Sequence, residues 1–239
     1  MYQNSLNDLK KKEQLAHNTI SGINGTARMI YKRAMEQDLL LADPTEYAFI
    51  PKDKKTVEDI ENKKVEDKYL EKYELKTFLD TAKTLCEIDD YVIFLTLSWT
   101  GLRAGEFVAL KWKDINFEGN TINITKTYNP KNNTKDYKLL PPKTNGSIRK
   151  IDVEDEVINT LHKHRLKQKE IKLQVGNEYY DKDFVFGRLN APYFGYPNFI
   201  KTIENRMESL LTKTRAINKR LTPHSLRHTN TSLLARSWC

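Results

Sequence analysis

The sequence predicts a mainly α-helical protein with a small antiparallel β-sheet, and three observations carry that prediction. Apolar residues recur at helical spacing along most of its 239 residues. In the middle the period drops to two, in Thr121-Ile122-Asn123-Ile124-Thr125 and again in Ile148-Arg149-Lys150-Ile151-Asp152-Val153. Between those runs lie turn signals: Asn129-Pro130, Pro141-Pro142 and Asn145-Gly146.

Residues 1–50 read as helical. Leu6, Leu9 and Leu15 begin a first helix. Asn18 or Thr19 can cap a second, carrying Ile20, Ile23, Ala27, Ile30, Ala34 and Leu40, and Ala42-Asp43-Pro44 ends it. Residues 51–68 are polar and charged, as expected of a linker. From residue 69 to 239 a second region follows. Glu74, Leu75, Phe78 and Leu79 mark an amphipathic helix. Asp89 to Trp99 is an apolar helix closed by Gly101, a residue suited to a left-handed C-cap. A short helix is expected over 104–110, a basic helix over 154–173 and a short strand over 183–187. Two last helices are expected over 196–218 and from Pro223 onward. There is no internal repeat.

Forty basic against 32 acidic residues give a net charge of +8 and a pI near 9.2. That balance favours a polyanionic partner such as nucleic acid. Two cysteines, Cys86 and Cys239, make neither a disulfide framework nor a zinc site, and Cys86 is expected to pack in an apolar helical run. No apolar run reaches membrane-spanning length and Met1-Tyr2-Gln3-Asn4 opens no signal peptide, so a soluble cytoplasmic protein is expected.

Three patches carry possible chemistry. In Thr222-Pro223-His224-Ser225-Leu226-Arg227-His228-Thr229, Thr222 can cap a helix and Pro223 can begin it. His224 and Arg227 then share one face near the positive end of the helix dipole, an arrangement suited to a phosphate. In Thr100-Gly101-Leu102-Arg103-Ala104-Gly105-Glu106, an arginine lies between two glycines, where backbone can approach a ligand, and Glu106 one turn on can hold the guanidinium. In Pro142-Lys143-Thr144-Asn145-Gly146, the turn signal puts Lys143 at a hairpin tip, free to reach a DNA groove or deliver a proton. His224 and His228 are four apart, but no carboxylate lies between them and no metal site is expected. His162 and His164 face different ways on a helix. The basic run from Lys163 to Lys172 reads as a solvated or DNA-facing surface.

Taken together, the ordered Arg…Lys…His-x-x-Arg resembles the catalytic domain of tyrosine recombinases, the integrases of phages and mobile elements. The matching residues are Thr100-Gly101-Leu102-Arg103-x-Gly105-Glu106 through Leu110-x-Trp112-x-Asp114-Ile115, then Pro142-Lys143-Thr144, then His224-x-Leu226-Arg227-His228-Thr229. Residues 1–50 resemble the later part of that family's helical core-binding domain. The resemblance implies DNA integration and recombination by strand breaking and rejoining, on double-stranded DNA, through a 3′-phosphotyrosyl intermediate. Arg103 and Arg227 would clamp the nonbridging oxygens. Lys143 would protonate the leaving 5′-oxygen, His224 would assist proton transfer and Glu106 would brace the arginines. No metal, cofactor or small-molecule substrate is implied, and an intact recombinase protomer is a possible partner.

The family's remaining parts, a second histidine or tryptophan and then the nucleophilic tyrosine, have no counterpart after Arg227. No tyrosine follows Tyr196. Arg236-Ser237-Trp238-Cys239 is what one inserted base would make of codons for Glu-Ala-Gly-Val. The expectation is a truncated chain, inactive alone, with weakened folding. The alternative is a DNA-binding module without chemistry that occupies attachment sites or interferes with an intact recombinase.

Overall fold

A computed structural model describes residues 1–52, 68–85, 89–131, 135–142, 145–214 and 216–237. Cys86, Lys143, Trp238 and Cys239 lie outside the described residues. The chain divides into two compact units, residues 1–65 and 66–239.

The first unit holds α1 (Tyr2–Lys11) and α2 (His17–Glu36). The second helix begins just after Ala16, ahead of the expected Asn18 or Thr19 cap. Leu6 and Ile20 are fully buried between the two helices. Tyr2 adds a hydroxyl hydrogen bond to Asn24 Oδ1 at 2.8 Å and an edge contact with Tyr31. The segment after α2 folds back: Arg28 donates to the Thr45 carbonyl at 3.2 Å, and Gln3 bonds both backbone groups of Phe49. Within this unit the apolar stripe foreseen on α2 is covered only in part. Ile23 and Ile30 stay exposed, because a ten-residue helix is only half as long as its neighbour, and Leu40, expected on the same helix, lies beyond its end at Glu36 and is exposed too.

The second unit contains α3 (Lys72–Leu85), α4 (Asp90–Thr100), α5 (Ala104–Val108), β1 (Ile115–Asn116), β2 (Thr121–Ile124), β3 (Thr127–Pro130), β4 (Tyr137–Leu140), β5 (Arg149–Asp152), α6 (Asp155–Val175), α7 (Ile200–Lys213) and α8 (Pro223–Ser237). Helix α4 is apolar on every side and therefore sits at the centre, packed by α3, α6 and α8. Val92, Ile93, Phe94, Leu95 and Leu97 are all buried, with Phe78 of α3 meeting Phe94 edge-on. At its N-terminus Arg206 of α7 bonds Asp89 and Asp90, all three nearly withdrawn from solvent.

The strands make two small antiparallel sheets, one ordered β1-β2-β5 and one pairing β3 with β4. In the first, Ile122 pairs with both Ile115 and Ile151, and Ile124 pairs with Arg149. The Asn145-Gly146 turn does not close a two-residue hairpin. Its residues lie in a short 3-10 helix, Asn145–Ser147, and the strands on either side belong to different sheets. Two further expectations are corrected. Residues 183–187 make only isolated bridges, Lys111 with Phe184 and Gly187 with Pro197. The helix expected over 196–218 spans only Ile200–Lys213, where the Thr214 hydroxyl turns back to bond the Leu210 carbonyl.

Candidate active site

The site begins where α4 ends. Gly101 closes that helix in the left-handed conformation at φ +58, and an added Cβ would stand 2.9 Å from Asn230 Oδ1. The carbonyls left free at the end of α4 are taken by α8: Asn230 Nδ2 donates to the Trp99 carbonyl at 3.0 Å, and Arg227 Nη1 donates to the Gly101 carbonyl. Residues 227 and 230 are one turn apart, so a single face of α8 makes both contacts. A further bond, from the Leu70 N–H to Thr229 Oγ1 at 2.9 Å, fixes α8 against the start of this unit.

Two residues beyond Gly101, Arg103 opens α5. Its backbone N–H donates to Glu106 Oε2 at 3.1 Å and its Nη1 to Oε1 at 2.9 Å. Gly105 has its own reason here, and it is packing rather than ligand approach. Thr127 Oγ1 of β3 lies 2.6 Å from where a Cβ would stand.

The Glu106 carboxylate is only 3% exposed and receives a second guanidinium. Arg149, first residue of β5, places Nη2 2.9 Å from Oε2 and Nη1 3.3 Å from Oε1, and also bonds the Ser147 carbonyl. Burial by itself would raise the Glu106 pKa. The hydrogen bonds from Arg149 and from the Arg103 backbone and guanidinium outweigh it, and the carboxyl ends below its ordinary 4.5. Arg227 is pushed below its ordinary value, first by burial and then by the positive charges of Arg103 and Arg149. Three guanidiniums thus face one carboxylate, leaving two positive charges in excess at a partly solvated surface, which favours an anion.

The structure therefore brings Arg103, Glu106 and Arg227 together. His224 stands one turn before Arg227, exposed, with its ring set edge-on to His228 at 4.8 Å. The cap expected from Thr222 takes another form: Ser225 Oγ accepts from the Thr222 N–H at 3.1 Å. Lys143 is outside the described residues. Among the described residues no three His, Cys, Asp or Glu side chains gather in a metal-binding group.

Arg149 was not singled out in the sequence. Its only signal was a basic residue at the start of an alternating run.

A helical core with small antiparallel sheets thus frames a cluster of three arginines around one carboxylate. Residues 68–238 match the phage integrase family model, and the chain belongs to that family. It is 32% identical over 203 residues to the integrase of Staphylococcus phage L54a, covering 78% of this chain and 53% of the relative. It is 28% identical over 221 residues to the prophage ps2 probable integrase of Lactococcus lactis subsp. lactis, covering 89% and 54%. The chain thus spans about half the length of these curated relatives. Among solved structures it is similar to the Tn1549 transposon integrase in complex with transposon right end DNA, with TM-score 0.73, 22% identity and coverage of 99% of this chain and 72% of that one. The XerA recombinase matches with TM-score 0.55 and 19% identity, over 99% and 68%. The likeness establishes the fold expected of a tyrosine-recombinase catalytic domain. No helix among the described residues is long and apolar enough to cross a membrane.

Proposed function

We propose that this chain grips a phosphodiester of double-stranded DNA as an integrase-type site-specific recombinase does. The carrying observation is the convergence of Arg103 and Arg227, from separate elements, beside one buried carboxylate. In this reading the two guanidiniums hold the nonbridging oxygens, whose negative charge grows in the transition state. Glu106 fixes the Arg103 fork, His224 moves a proton to or from the nucleophile, and Lys143 protonates the leaving 5′-oxygen. The +8 charge supplies the nonspecific attraction to the duplex. The setting is the cytoplasm, with residues 1–50 belonging to a core-binding domain and 51–68 as linker. Neither a membrane, a small-molecule substrate nor a metal takes part.

No tyrosine lies among residues 197–239. In a second reading these residues bind without forming the covalent protein–DNA link, as a DNA-binding module that occupies sites or works beside an intact recombinase protomer. A nicked suicide duplex tests this. Binding that weakens with salt and no covalent adduct are expected, and an adduct from this chain alone would overturn the non-catalytic reading. The double substitution Arg103→Ala and Arg227→Ala should reduce affinity and flatten the dependence of log K on log salt by about one phosphate contact. An unchanged slope would overturn the clamp.

A further inference from the structure

We infer that Arg149 is a charge-balancing positioning residue, one that neutralises Glu106 so that the charges of Arg103 and Arg227 stay available to a phosphate. The inference rests on the phosphate-gripping reading above and adds a third arginine to it.

The argument starts from the carboxylate. Glu106 is buried, and a buried carboxylate must be compensated within the protein. It is held from two sides, by Arg103 through a guanidinium N–H and a backbone N–H, and by Arg149 through two guanidinium N–H groups. The two arginines differ in exposure. The Arg103 side chain is 52% exposed and the Arg149 side chain 25%. The more enclosed one spends both of its terminal nitrogens on the carboxylate and the Ser147 carbonyl, an inward geometry. The more exposed one uses a single terminal nitrogen and keeps the rest of its fork open. With Arg149 in place, the three arginines and one carboxylate sum to +2. Without it the sum is +1, and the whole carboxylate charge falls on Arg103, the group meant to meet the ligand.

The test uses the full chain and inorganic phosphate as the probe, with binding followed by the side-chain NMR signals of Arg103 and Arg227. Arg149→Gln should weaken phosphate binding about threefold, the effect of one charge a few ångströms away in a solvated site. Arg149→Lys, which keeps the charge, should recover most of that loss. Glu106→Gln should tighten binding. The double variant Arg149→Gln/Glu106→Gln, restored to +2, should bind phosphate more tightly than Arg149→Gln alone even if its melting temperature is lower than either parent's. A merely structural role would give no such recovery. Unchanged affinity in Arg149→Gln, or a double variant weaker than Arg149→Gln, overturns the inference while leaving the clamp standing. Arg103→Gln and Arg227→Gln run alongside: if neither weakens phosphate binding, the clamp falls and this inference falls with it.

Discussion

Glu106 shows how much one side chain can organise. Its two oxygens tie the start of α5 to the start of β5, and removing them leaves Arg103 and Arg149 facing each other with no counter-charge. Glu106→Ala should therefore destabilise the chain by about 2 kcal/mol, less than a fully buried pair would lose because Arg103 is half in solvent. Urea unfolding of the variant against wild type measures it. His164 offers a pH-dependent counterpart. Its Nε2 lies 2.9 Å from the Val185 carbonyl, so the ring donates there. Burial depresses its pKa below the ordinary 6.5. The unfolded chain then takes up the proton first, so stability is complete above about pH 6.5 and declines as the pH falls toward the folded value. His164→Gln should remove that part of the acid limb in melting temperatures measured across the pH range.

At the level of elements, legibility followed the range of the interactions involved. Arg103 with Glu106, and His224 with Arg227, are pairs three residues apart, so helical geometry alone placed each pair on one face. The closure of α4 at Gly101 was equally local. Arg149 was out of reach because its partner is 43 residues away and is found only through the Ile124–Arg149 strand register. The buried side of α6 was missed for a related reason. In a run crowded with lysines, His164 and Gln168 looked solvated, yet Gln168 accepts from Trp112 Nε1 at 2.7 Å and donates to the Phe184 carbonyl at 3.0 Å. Polar residues can be placed in a core only when their partners are known. Two substitutions probe the elements directly. Gly101→Ala should cost about 1–2 kcal/mol from the left-handed backbone alone, with the contact against Asn230 added. Arg206→Ala should cost on the order of 3 kcal/mol, because Asp89 and Asp90 stay buried and lose the guanidinium that bonds them both. Chemical denaturation tests both.

For the molecule as a whole, stability is distributed unevenly. The large fully buried side chains belong mostly to the second unit, whereas α1 and α2 bury only Leu6 and Ile20 among their apolar residues. Hydrogen exchange should show α4 amides opening only with global unfolding, and α1 and α2 amides exchanging orders of magnitude faster by local opening. Equal protection in both would contradict this.

The grip of α8 on the end of α4 has a mechanical consequence. Asn230 and Arg227 act like two dowels seated in two holes, the Trp99 and Gly101 carbonyls. Sliding or turning α8 by even one residue would pull both free at the same instant. The guanidinium therefore inherits its place from a helix axis.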